Sequence, residues 1–174
     1  WNPNGKGTAL WMTVGILLAA YSLKTVFRNG AWYDSASLYA ADLPNSPNCA
    51  KLNYHNALEQ VRIGMDEKES IVKDVEQVKK GIECYNKCIE LYPQYHDAYG
   101  SRGLAYFRLG EVLKNPEDQR AAWDKSLLDY QESLKYRYNN SEVLSNMGKI
   151  YFTRGQPEKA EEVYKKAVEF DPRF

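Results

Sequence analysis

Histidine and cysteine are scarce in this chain, with two of one and three of the other in 174 residues. Cys49, Cys84 and Cys88 make no metal-ligand or redox spacing. Cys84 and Cys88 lie one helical turn apart, and an odd count argues against a scaffold built on disulfides. His55 and His96 stand far from each other with no serine or cysteine nucleophile evident near either, so no catalytic residue, metal site or cofactor is expected. Net charge is also missing: 23 basic residues balance 23 acidic ones, which leaves no electrostatic footprint for a nucleic acid. The charged clusters in MDEKES, PEDQR and PEKAEEVYKK read as solvated helix faces held by i,i+4 pairs. Asn139-Asn140-Ser141 is formally a glycosylation acceptor and reads as a loop.

What the sequence has instead is repetition. Tyr39, Tyr85, Tyr130 and Tyr164 are followed, eight residues later in each case, by Pro47, Pro93, Tyr138 and Pro172. The phrases between them, YAADLPNSP, YNKCIELYP, YQESLKYRY and YKKAVEFDP, each read as a helix and a stop. The last unit, 141–174, is the fullest, with Leu144, Gly148 and Tyr151 on one helix, Ala160, Tyr164 and Ala167 on the next, and Pro172 after it. Small residues at 148, 160 and 167 let the two helices approach closely, while Leu144, Tyr151 and Tyr164 fill the space around that contact. Pro172 stops the second helix. This unit resembles a tetratricopeptide repeat. The resemblance implies an all-α fold, a right-handed superhelical solenoid of antiparallel helix pairs in which each pair buries its core against its neighbours.

Residues 96–140 form a second unit, with Tyr99, Gly103, Tyr106 and Tyr130 in register and Ser126 and Ser133 at the two alanine positions. It is about eleven residues longer than the parent pattern. The surplus lies near GEVLKNPEDQRAAW, where Asn115 suits a helix cap, Pro116 the first position, and Glu117 and Asp118 the positive end, so the insertion lengthens helices. Residues 50–95 make a third, more degenerate unit, with Ala57 at the glycine position, Gly81 and Cys88 at the alanine positions and a second helix starting near Glu69. Cys84 and Cys88 read there as core. Residues 31–49 carry Trp32, Tyr39 and Pro47 in register and read as the second helix of a half repeat.

Residues 1–30 are of another kind. Thr8 to Leu23 is an uncharged apolar run between Lys6 and Lys24, with aromatic residues at Trp1, Trp11 and Tyr21. The run falls just below the usual lower limit of about 17 residues for a membrane helix, but Lys24 can snorkel and Thr25 to Phe27 extend it. It reads as a membrane span, the alternative being a buried capping helix of the solenoid. A signal peptide fits less well, because no basic start precedes the run and no clear cleavage site follows it. The missing initial methionine suggests a fragment of a longer chain. Lys6 on one side and Lys24 with Arg28 on the other are too few to set orientation. The junction that follows, VFRNGAWYDSASLYAADLPNSPNCAKLNYHNAL, resembles the end of the membrane region in transmembrane and tetratricopeptide-repeat glycosyltransferases. The matching residues are Arg28, Asn29, Trp32, Leu38, Pro47, Asn48, Ala50, Lys51 and Tyr54. In that family the catalytic loops lie upstream and the repeats face the lumen or periplasm. The resemblance therefore implies a lumenal or periplasmic substrate-presenting tail with no catalytic residue to carry over.

A function built on repeats belongs on the concave face, which the first helix of each pair lines. Counting along those helices places Tyr54, Leu58 and Arg62, then Leu104, Phe107 and Arg108, then Asn146, Lys149 and Phe152 on that face. Such a surface suits an extended peptide or a partner helix, with Leu58, Leu104, Phe107 and Phe152 as anchors and Arg62, Arg108 and Lys149 as donors. The positions at which chaperone-binding relatives clamp a carboxylate carry Tyr54, Leu58, Ser101, Glu142 and Asn146 here; the clamp is absent and Glu142 would repel a carboxylate. The expected function is a non-enzymatic protein-binding scaffold tethered to a membrane through Thr8 to Leu23. The alternative is the glycosyltransferase tail, and self-association through the repeat ends is a further option.

Overall fold

The computed structural model describes residues 6–30, 33–66 and 71–173. Trp1, Trp32, Glu69 and Phe174, with the side chains of Lys6, Thr8, Arg28 and Asn29, lie outside the described residues. Two compact units result, Trp1–Asn45 and Ser46–Phe174.

In the first unit, α1 (Lys6–Gly30) is a continuous helix of 25 residues. Its apolar stretch, Ala9–Phe27, spans 19 residues at a mean hydropathy of 1.5 with none of it buried. At 1.5 Å per residue it runs about 28 Å, close to the thickness of a hydrocarbon layer of about 30 Å and within the usual range of about 17–25 residues for a membrane helix. Thr13 and Thr25 donate their hydroxyls to the carbonyls of Ala9 (2.9 Å) and Tyr21 (2.8 Å), so those polar groups are satisfied inside the helix. α2 (Ser35–Asp42) starts where the Asp34 carboxylate accepts the Ser37 amide at 2.7 Å, and passes into a single 3-10 turn, Leu43–Asn45. It buries none of its residues.

The second unit is three helical hairpins: α3 (Ala50–Gly64) with α4 (Val75–Leu91), α5 (His96–Val112) with α6 (Pro116–Tyr136), and α7 (Ser141–Thr153) with α8 (Pro157–Phe170). α4 packs on α5 and α6 on α7, while α3, α5 and α7 lie side by side, the arrangement of a tetratricopeptide solenoid. Among the described residues the only extended pairing is one bridge between Met65 and Val72.

Local chemistry sets the helix ends. Asn115 accepts the Glu117 amide at 2.9 Å with Pro116 in the first turn, and the added length of this hairpin lies in α5 and α6, at 17 and 21 residues against 13 and 14 for α7 and α8. The first hairpin uses its surplus differently. Lys73 and Asp74 lie against the end of α3, their amides donating to the Gly64 carbonyl at 2.9 and 3.1 Å. The Asp74 carboxylate then accepts the amides of Glu76 and Gln77, and α4 begins at Val75 rather than near Glu69.

Close approach within each hairpin follows from glycine facing a large side chain. A Cβ at Gly103 would stand 2.8 Å from the Tyr130 ring, and one at Gly148 2.5 Å from the Tyr164 ring. In the first hairpin that position is Ala57, fully buried, and the close approach moves to the other helix: a Cβ at Gly81 would lie 2.5 Å from Val61 and 3.0 Å from the Ala57 carbonyl. Ser126 and Ser133 stand where small apolar residues are expected because their hydroxyls find partners across the hairpin, donating to the carbonyls of Gly103 (2.6 Å) and His96 (3.0 Å).

A polar clamp joins the first two hairpins. Arg102 on α5 makes a two-pronged contact with Asp129 on α6 (2.8 and 2.6 Å) and donates to Asn86 on α4 at 2.7 Å. Burial pushes the Asp129 carboxyl above its ordinary range, and Arg102 opposes that shift.

Candidate groove on the inner helices

Four of the residues picked out by counting share one recess. Leu58 and Arg62 of α3 and Leu104 and Arg108 of α5 line a cavity of about 340 Å³, with Val61 and Met65 completing its apolar wall. Leu58 remains 38% exposed, so the recess offers aliphatic surface to solvent. Its two arginines are already held: Arg62 by Glu59 at 2.7 Å, and Arg108 by Glu111 at 3.0 Å, each one helical turn away. The pairing fixes the direction of the two guanidinium forks.

A second, smaller recess of about 260 Å³ adjoins it, sharing Ser101 and Leu104. Tyr54, Gly100, Asn146 and the carboxylates of Asp97 and Glu142 line it, together with Arg137. Tyr54 and Ser101 lie within hydrogen-bonding distance of each other at 3.4 Å, and the Tyr54 ring packs on Tyr95 at 4.9 Å between centroids. Burial raises the Tyr54 phenol above its usual value, with the Ser101 contact opposing, so it acts as a neutral donor and acceptor. Asn146 is buried and its side-chain oxygen accepts from Lys149 at 3.2 Å. Lys149 itself is exposed and lines neither recess.

Two anchors read from the sequence are corrected. Phe107 is 3% exposed and sits in the core with Trp123, Tyr130, Val143 and Met147. Phe152, at 68% exposure, lines a separate recess with Pro157, Ala160, Tyr164 and Val168. Both stand four residues after the helix-contact glycine of their hairpins, Gly103 and Gly148, a register that points toward the following hairpin and away from the groove. Lys165 lines the same recess as Phe152. The counting missed Met65, which follows the end of α3, and Tyr85, whose ring reaches the recess from the outer helix α4.

Among the described residues no three His, Cys, Asp or Glu side chains come together as a metal site. Cys88 is fully buried, and burial pushes its thiol up to about 11, so it is protonated and inert at neutral pH.

Comparison with known proteins agrees with this geometry. Family models described as tetratricopeptide repeat match residues 141–174 and 73–95. Photosystem I assembly protein Ycf3 of Synechococcus sp. (strain CC9605) is 35% identical over 79 residues, covering 44% of this chain and 43% of that protein. Its counterpart from Prochlorococcus marinus is 37% identical over 71 residues, 39% of each chain. The match thus spans less than half the length of these curated relatives. Among solved structures, TTC0263, a thermophilic TPR protein of Thermus thermophilus, superposes with a TM-score of 0.63 at 18% identity, covering 92% of this chain and 72% of that one. MamA from MSR-1 superposes at 0.58 with 19% identity, covering 79% and 66%. The facing glycine and tyrosine of its hairpins and these matches together show that the chain carries tetratricopeptide repeats, at 73–95 and 141–174, in a fold it shares with these structures.

Proposed function

We propose that this protein is a membrane-tethered, non-enzymatic scaffold that holds an extended peptide or partner helix across α3, α5 and α7. The observation that carries the reading is the shared recess of Leu58, Arg62, Leu104 and Arg108, where exposed aliphatic surface lies beside two guanidiniums whose directions are already fixed. An apolar anchor side chain fits between Leu58 and Leu104, and Arg108 beside them takes the ligand's backbone or polar groups. Tyr54, Asn146 and Lys149 extend the contact toward α7. The relatives named as photosystem I assembly proteins favour a protein partner, since assembly demands one. α1 supplies the tether, with its apolar stretch of 19 residues, in which Lys24 is the one charged side chain, and its internally bonded threonine hydroxyls. The junction from Arg28 to Tyr54 favours a lumenal or periplasmic location for the repeats. It also supports a second reading, a substrate-presenting tail of a membrane glycosyltransferase, in which the same recess would hold the acceptor polypeptide.

The test is site-specific photo-cross-linking in native membranes with the probe placed at Leu58, at Leu104, or at Glu83 on the exposed face of α4. A discrete adduct at the first two positions and none at Glu83 supports the groove. Replacing Leu104 and Arg108 together by alanine should then weaken that partner by about 2 kcal/mol or more. Equal labelling at all three positions, or an undiminished adduct in the double variant, overturns it.

A further inference from the structure

The smaller recess gathers polar groups that the chain itself leaves unmatched. Tyr130 lines it at 1% exposure, and its hydroxyl has no hydrogen-bond partner; the Ser126 hydroxyl donates to the Gly103 carbonyl instead. Asn146, 8% exposed on the same lining, gives its oxygen to Lys149 and keeps its amide nitrogen unpartnered among the described residues. Buried polar groups are nearly always bonded, so two unpartnered ones on one small lining point to partners outside the chain. Asp97 and Glu142 add two carboxylates, placed there by the first turns of α5 and α7, whose positive ends favour acids. Cations of the chain do not meet them. Among the described residues Glu142 makes no ion pair, and Asp97 has only the imidazole of its neighbour His96, at 3.0 Å. Arg137 stands on the lining and pairs with neither, while Lys149 is held by Asn146 and lines neither recess. The two phenols register the acids: burial is the main cause that raises both above their usual value, and Asp97 adds to it at Tyr54 and Glu142 at Tyr130, where Arg108 opposes.

We infer that this recess takes a basic side chain of the bound segment, the guanidinium or ammonium of an arginine or lysine. This rests on the groove proposed above and adds which residue the partner sets beside its apolar anchor. The two recesses share Ser101 and Leu104, so a segment whose aliphatic side chain enters between Leu58 and Leu104 brings an adjacent position within reach of Asp97 and Glu142. A cation there meets two carboxylates, with the hydroxyl oxygens of Tyr54 and Tyr130 as further acceptors. The Asn146 amide and the Arg137 guanidinium remain as donors for the segment's carbonyls. An acidic side chain in the same place would face two like charges, so the recess discriminates by repulsion as well as by attraction.

The experiment titrates the full chain, in a mild non-ionic detergent and with its asparagine side chains labelled with nitrogen-15, against four capped dipeptides. These are acetyl-leucyl amides of arginine, lysine, glutamate and citrulline, the last having the shape of arginine without its charge. The Asn146 side-chain signal reports occupation of the recess. The arginine and lysine peptides should move it, and the citrulline and glutamate peptides should bind at least ~10-fold more weakly, the loss expected for a missing charged hydrogen bond. Whichever of arginine and lysine binds more tightly names the cation. Glu142→Gln should remove most of the preference for arginine over citrulline while leaving the circular dichroism melt intact, because Glu142 is exposed. Leu104→Ala should weaken all four peptides and keep the preference, which measures the apolar anchor separately. Equal binding of all four peptides leaves the groove standing and overturns the basic side chain. A preference that survives Glu142→Gln unchanged overturns it too, and binding by none of the four overturns both.

Discussion

At the scale of single residues, the hairpins are defined by what glycine makes room for. The Tyr164 ring lies where a side chain at 148 would begin, at 2.5 Å from the position of a Cβ. Tyrosine at that point is therefore coupled to glycine on the facing helix, and neither residue is replaceable alone. Gly148→Leu should cost roughly 1–3 kcal/mol, because the helices must move apart or the ring must leave its rotamer. Gly148→Ala should cost less in a Tyr164→Ala background than in the parent, with a coupling of about 0.5–3 kcal/mol. Urea melts of the four proteins measure this directly. Additive losses would mean that the two residues do not share the contact that the structure gives them.

At the scale of helices, Arg102 draws three of them together, and its partners show why polar side chains can be hard to read from sequence. Asp129 stands beside the signature residue Tyr130 and has the composition of a solvated helix face, yet its side chain is only 7% exposed. It is enclosed because α4, α5 and α6 converge on it, a consequence of superhelical packing that no periodicity along one helix reveals. Removing the guanidinium strands a buried carboxylate, so Arg102→Met should cost about 3–5 kcal/mol. Arg62→Met, at a pair whose arginine is more than half exposed, should cost less than about 1 kcal/mol. The pH dependence has a definite sign. Burial already raises the folded pKa of Asp129, and losing Arg102 raises it further, so the folded variant favours the protonated acid. The deficit should be largest at pH 8 and shrink as the pH falls toward 5. A deficit that does not change with pH would rule out a stranded carboxylate as its cause. By contrast, the hairpins themselves were legible, since Gly103, Gly148, Tyr130, Tyr164 and the Asn115-Pro116 start each impose a local geometry. Leu58, Arg62, Leu104 and Arg108 could be placed together because they stand at one register on α3 and α5. Phe107 and Phe152 were misplaced because inner-face and next-hairpin positions are neighbours on the same helix, about 100° apart for consecutive residues. Apolar character alone does not distinguish them.

At the scale of the whole chain, the two units differ in what holds them. Ser46–Phe174 contains all three hydrophobic clusters, so every core residue from Ala57 to Ile150 in those clusters finds its partners inside that unit. α1 has an apolar stretch with none of its residues buried. Stability in a stacked array comes from each hairpin and its contact with the next, and neither contribution requires α1. A protein comprising only Ser46–Phe174 should therefore fold, with full helical circular dichroism, and should need no detergent to stay in solution. Its thermal unfolding should remain cooperative, because the α4–α5 and α6–α7 contacts that couple the hairpins are all retained. Weak helicity or a broad, gradual melt would show that the first unit closes the solenoid as a cap. In that case α1 would have to be assigned a packing role in place of the membrane tether proposed for it.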